Sequence, residues 1–178
     1  MENPKQIVRD GLGELLKAGA EKAQCSLTLT DKHELNVDLG ELSLLRTTFD
    51  TSVDLLAIKD QKKGSTAINR SGGPALCRAA ADVLDIAAAS APDEAHDIAA
   101  AQPPAEFSSG GSRPDPDKIY SRMKELLREI AAGYPQVMVR QAILDFTRTE
   151  NYFLNSNGVD FVTRKGIYRC MVFFSSVN

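Results

Sequence analysis

The sequence predicts an α+β fold: an antiparallel four-strand meander covered by two helices, followed by a further helix and a second antiparallel set of strands. Three observations carry this. Residues 26–39 alternate between apolar and polar side chains with period two. Helical periodicity brackets that region, first in residues 4–18 and again in the alanine-rich stretch 71–90. A helix start at Asp115-Pro116 and the hairpin dipeptide Asn157-Gly158 then announce a second round.

The first helix places Val8, Leu12, Leu15 and Leu16 on one face with Ile7 beside them, and Gly19 stops it. In the following strand the odd positions are Leu27, Leu29, Asp31, His33, Leu35, Val37 and Leu39. The even positions, Ser26 to Asp38, are all polar, so that face is expected to be wet. A turn at Gly40 leads to a strand from Leu42 to Phe49, and "FDTS" is expected to turn into a third strand, residues 53–59. "DQKKG" turns into a fourth, "STAIN".

The second helix follows two glycines, with Pro74 in its first turn. Its stripe is Leu76, Ala80, Val83, Leu84 and Ala87, and its many alanines suit close packing on a sheet. The stretch "PPAEFSSGGSRPDP" reads as a linker, and "DEAHDIAAA" before it suits at most a short helix. The third helix carries Ile119, Met123, Leu126, Leu127 and Ile130 on one stripe and ends at Gly133 and Pro135. Strands at about 136–148, 151–156 and 159–174 complete the chain. The expected organisation is a subdomain at 1–91, a linker at 92–114 and a helix-plus-hairpin subdomain at 115–178.

Composition limits the functions available. A chain of 178 residues, 43% hydrophobic and 25% charged, can bury a real core and is not wholly disordered. The net charge of −3, the absence of Trp and the 6% aromatic content argue against a nucleic-acid partner. The lysines of "KDQKKG" (Lys59, Lys62 and Lys63) read first as a solvated turn and second as a phosphate or acidic-partner contact. The N-terminal "MENPKQIVRD" has no apolar signal-peptide core, and no apolar run is long enough to cross a membrane as a helix.

No catalytic or metal residue is expected, and binding residues are unassigned. His33-Glu34 superficially matches the start of a His-Glu-x-x-His zinc motif, but Val37 stands where the second His belongs. In the longer form of the motif that position is Asp38. A strand also sends His33 to one face and Glu34 with Asp38 to the other, so three ligands cannot converge. His33 is therefore expected to be buried and Glu34 exposed, and His96 to lie on the surface. Cys25, Cys77 and Cys170 are too far apart for a metal motif and read as reduced, apolar fillers. "NRSGGP" before the second helix has the free N–H groups of an anion-binding turn but lacks the Lys-Ser/Thr of a P-loop. Its glycines read first as a tight strand-to-helix turn. Asp115 and Asp117 read as residues placed for the helix dipole.

The order of elements meets specific residues in "LNVDLGELSLLRTTFDTSVDLLAIKDQKKGSTAIN" (35–69), "AAADVLDIAAASAPDE" (79–94) and "NSNGVDF" (155–161). Together they resemble the N-terminal half of the TldD/PmbA family, once named modulators of DNA gyrase and now regarded as zinc-dependent peptidases. The family's "GE" hairpin is matched at Gly40-Glu41, its "KGSA"-like turn at Lys63-Gly64-Ser65-Thr66, and its "SPDP" at "SAPDE". Its "NS-x-G" hairpin is matched at Asn155, Ser156 and Gly158. The resemblance runs over roughly residues 5–175. It departs in "VDLLAIKD", where Asp54 and Leu55 replace a Gly or similar small residue.

The resemblance implies a cytoplasmic protein of peptide processing or degradation, working as a homo- or hetero-dimer with a family subunit. It places zinc, as the cofactor, on a His-Glu-x-x-x-His helix in the family's C-terminal half, with which no residue here aligns. The alternative is a non-enzymatic module that binds a protein or peptide, on the polar face of the first sheet or by strand addition at an edge.

Overall fold

The computed structural model describes residues 3–176. Among them are helices α1 (Pro4–Lys17), α2 (Gly73–Ala89) and α3 (Pro116–Gly133). The strands are β1 (Lys22–Asp38), β2 (Glu41–Lys59), β3 (Lys62–Ile68), β4 (Ala105–Gly110), β5 (Val137–Asn155) and β6 (Asp160–Ser176). The class is α+β, as expected. The six strands form one sheet in the order β3-β2-β1-β5-β6-β4.

The four-strand meander is not formed; three strands take its place. The turn expected at "FDTS" does not occur, and β2 runs through it for 19 residues. The reason is local. Hairpins here turn where φ is positive: Leu39 (51°) with Gly40 (85°), and Asp60 (51°) with Gln61 (60°). Nothing in Phe49–Ser52 adopts that conformation, and Thr47, Thr48 and Thr51 favour extended backbone. The break expected near residue 150 is likewise absent, since β5 is continuous to Asn155.

The hairpin at Asn157-Gly158 is present, but only Gly158 (φ 92°) is left-handed. Asn155 builds this turn. Its Oδ1 accepts from Asn157 N and Val159 N, and its Nδ2 donates to the Ala99 carbonyl. That last bond, with Lys22 on Asp97, ties down the stretch expected as a short helix, which is irregular instead. Within residues 92–114, Ala105–Gly110 forms β4.

The helix boundaries follow their caps. Asn3 Oδ1 accepts from Lys5 N, Asp115 Oδ1 accepts from Lys118 N, and each of these helices begins with Pro. Helix α2 begins at Gly72 without a side-chain cap. Lys62 Nζ donates to the Ala88 carbonyl at its other end, where a cation is favourable.

The chain divides into two compact units, each assembled from three stretches. The first comprises Met1–Leu29, Asp50–Ser108 and Glu150–Arg164. Its core packs Val8 and Leu15 of α1 and Leu76, Ala80 and Val83 of α2 on Cys25, Leu27, Val53 and Leu55. Leu16, expected on that stripe, is exposed. Cys25 is the only one of the three thiols that fills a core; Cys77 lies off the buried stripe of α2 and is exposed, as is Cys170. The second unit comprises Thr30–Phe49, Ser109–Thr149 and Lys165–Asn178. Its core packs Ile119 and Met123 of α3 on Leu35, Val37, Ala142 and Phe146.

Gly64 shows how tightly α2 lies on β3. A Cβ there would meet the Val83 carbonyl oxygen at 2.1 Å and the Ala87 nitrogen at 2.7 Å. Both are backbone atoms and cannot rotate away. Gly64→Ala must push the helix off the strand, and chemical denaturation should show a loss of at least about 2 kcal/mol.

Candidate functional site

The second unit holds a cleft of about 400 Å³ lined by His33, Glu34 and Leu35 of β1, Leu42, Leu45 and Thr47 of β2, and Pro116, Asp117, Ile119 and Tyr120 of α3. An adjoining hollow of about 310 Å³ shares Leu35, Leu42 and Tyr120 and continues to Met123 and Leu127. The lining is mostly apolar, with His33, Glu34, Thr47 and Asp117 as its polar groups.

The β2 wall is exposed along its outer edge. Strand β3 pairs with β2 only from Val53↔Ile68 to Lys59↔Lys62. Among the described residues, Glu41–Ser52 therefore has β1 on one side and no strand on the other. An unpaired edge presents N–H and C=O groups to any extended chain. This one also carries exposed Leu42, Leu44, Leu45 (71% exposed) and Phe49 (76% exposed). Apolar side chains concentrated on a free edge are uncommon unless something covers them. Leu42 and Leu45 both line the cleft although three residues apart.

Of the polar groups, His33 and Glu34 are not where the sequence places them. Glu34 is 5% exposed, whereas the His33 side chain is 26% exposed. The alternation itself holds, since Leu35 and Val37 face the core. The face opposite them, however, is covered at Glu34. Lys32 and Arg46 both pair with the carboxylate, Arg46 Nη2 at 2.7 Å, and Asn36 Nδ2 donates at 3.2 Å. His33 sits at the cleft, where α3 does not close over it. Its Nδ1 lies 3.2 Å from Thr47 Oγ1 and its Nε2 2.9 Å from Asp31 Oδ1. The second contact has ion-pair distance but not hydrogen-bond geometry, so that buried oxygen lacks a hydrogen-bond donor.

These groups can bind and orient a polar chain passing over a mostly apolar lining. Among the described residues no set of three or more His, Cys, Asp and Glu is placed to hold a metal ion. The residues present do not fit the zinc that the family resemblance implies, and no metal-dependent step is assigned to them. Burial pushes the Cys25 thiol up to about 12, so it supplies no thiolate at neutral pH. His96 is half-buried with Nδ1 2.9 Å from the Gln61 carbonyl oxygen, a contact that fastens a loop. Asp115 and Asp117 serve the start of α3, and Asp117 also borders the cleft. The residues that the sequence did not single out, Leu42, Leu45, Thr47 and Tyr120, become neighbours only through strand pairing and the seat of α3. The one available signal was apolar Leu44, Leu45 and Phe49 set among polar residues.

The Lys32 hydrogen bond, joined by Asn36 and the charges of Lys32 and Arg46, outweighs burial and holds the Glu34 carboxyl below the usual carboxylate range. A folded-state pKa below the unfolded value stabilises the fold above the ordinary carboxylate range and ceases to do so as pH falls through the folded value. Denaturation curves should show Glu34→Gln about 1–2 kcal/mol less stable near neutrality. The difference from the parent protein should shrink below about pH 4.

Comparison with known proteins agrees with this architecture. No family profile matches the sequence, and no curated protein matches it significantly. Solved structures do match. TldE from Thermococcus kodakarensis superposes with a TM-score of 0.73 at 16% identity, over 98% of this chain and 39% of that one. A candidate modulator of DNA gyrase from Bacteroides thetaiotaomicron gives 0.81 at 18% identity, over 100% and 42%. Another from Thermotoga maritima gives 0.73 at 15%, over 98% and 40%. The chain thus spans about two fifths of the length of these proteins. Over nearly its whole length it has the fold that TldE and these gyrase-modulator proteins contain, the same family that its sequence motifs resemble.

Proposed function

We propose that this chain is the N-terminal scaffold portion of a TldD/PmbA-like peptide-processing metallopeptidase. In this reading it receives and orients peptide, while the zinc-bearing His-Glu-x-x-x-His segment is supplied outside these residues. The observation that carries it is the full-length fold likeness to TldE and the gyrase-modulator proteins at about two fifths of their length. The chain works in a dimer with a family subunit, in the cytoplasm. No helix among the described residues is long and apolar enough to cross a membrane. The purified chain should bind no stoichiometric zinc and hydrolyse no peptide by itself, as read by metal analysis and a fluorogenic peptide assay. Zinc-dependent hydrolysis from this chain alone would overturn the scaffold reading.

A second reading, a peptide-interaction module without enzymatic partners, is favoured by the free edge of β2. An extended peptide adding to Glu41–Phe49 would gain main-chain hydrogen bonds and cover Leu45 and Phe49. Both readings expect peptide capture at this edge, and recovery of hydrolysis with a zinc-bearing subunit separates them. The double substitution Leu45→Lys, Phe49→Lys should weaken binding of a labelled apolar peptide at least about tenfold in fluorescence anisotropy. Stability should change by less than about 0.5 kcal/mol per site, since both side chains are exposed. Unchanged affinity would place the peptide elsewhere.

A further inference from the structure

The first unit contains a separate cleft of about 550 Å³, bounded by Thr51 and Ser52 of β2, Asn69 and Arg70 after β3, and Arg78 and Asp82 of α2. Arg70 and Arg78 are both exposed, and among the described residues neither makes a hydrogen bond or an ion pair. Arg46, Arg164 and Arg169 each pair with a carboxylate; Arg70 and Arg78 make no such pair and border the same cleft. The protein has more acidic than basic residues, 24 against 21, so carboxylates are not scarce. Asp82 lies one helical turn beyond Arg78 and borders the same cleft, yet does not pair with it. Two free guanidinium groups at one concavity make a fork suited to the planar or tetrahedral oxygens of a carboxylate or phosphate. The Asn69 amide and the Thr51 hydroxyl border the same space as further donors. Ser52 already donates to Asp54, at 3.3 Å, and has only acceptor capacity left.

We propose that Arg70 and Arg78 form an oxyanion clamp that takes a small carboxylate or phosphate group. The clamp's arginines lie after β3 and on α2, outside the Leu45–Phe49 stretch of β2, and the clamp stands whether or not the scaffold reading does. Asp82 opposes the anion and limits affinity, so the site favours a ligand that also carries a cationic or hydrogen-donating group nearby. A peptide ending in a free carboxylate meets that description, and inorganic phosphate supplies the same oxygens without the donor.

The test is calorimetric titration of the intact chain with three probes: inorganic phosphate, a short N-acetylated peptide with a free C-terminus, and the same peptide amidated. Saturable binding of phosphate or of the free-acid peptide is expected, with the amidated peptide at least about tenfold weaker than the free acid. Binding of phosphate alone identifies phosphate as the source; binding of the free acid alone identifies the peptide carboxylate. Arg70→Gln with Arg78→Gln should reduce affinity at least about tenfold, and Arg→Lys at both sites should restore only part of it. Asp82→Asn should tighten binding of phosphate. Circular dichroism on each variant checks the fold; because both arginines are exposed and unpaired, it should be unchanged. Equal affinity in the double Gln variant, or no saturable binding of either anion, would overturn the clamp.

Discussion

Uninterrupted strand length is the constraint on which the rest of the structure depends. Strands β1, β2, β5 and β6 are 17 to 19 residues long, where five or six is ordinary. Each contributes residues to both compact units. One set of strands therefore serves two hydrophobic clusters, under α1 and α2 in one unit and under α3 in the other. A turn at residue 50 or residue 150 would have ended β2 or β5 where the clusters change over.

Charge inside the second unit is placed with partners. Glu34 is held by Lys32, Arg46 and Asn36. Asp145, 1% exposed, accepts from Arg169 and Thr147. Carboxylates removed from water are tolerated when ion pairs and hydrogen bonds replace their hydration. Arginines and lysines committed in this way are structural. Arg70 and Arg78 make no such pair and border one cleft, so their donors are available to a ligand. The apolar surface divides similarly: Leu35 and Val37 are buried with α3 residues, while Leu45 and Phe49 stay exposed.

Much of this was legible in the residues. Periodicity with Gly19 located α1, and the Asp115 cap with Pro116 located α3, to within a residue or two, because both signals act between neighbours in sequence. Gly64 within Lys63–Thr66 was legible as a motif, although its role, contact with the α2 backbone, was not. The failures share a cause. "FDTS" resembles a turn by composition, but strand pairing on both sides of residue 50 costs less than opening the ladder. Glu34 looked exposed because alternation reports which face a side chain takes, not what covers that face. Its cover comes partly from Arg46, twelve residues away across a hairpin.

The sequence by itself determined the α+β class, the helix limits, the core stripes of α2 and α3, and the family likeness. These rest on periodicity and on contacts between near neighbours, which survive in a one-dimensional reading. Tertiary structure alone decided that β2 and β5 run unbroken, that Glu34 is enclosed and His33 borders a cleft, and that Arg70 and Arg78 border another. Each of those outcomes depends on which distant segment packs alongside, because burial and pairing are properties of the assembled neighbourhood rather than of the residue.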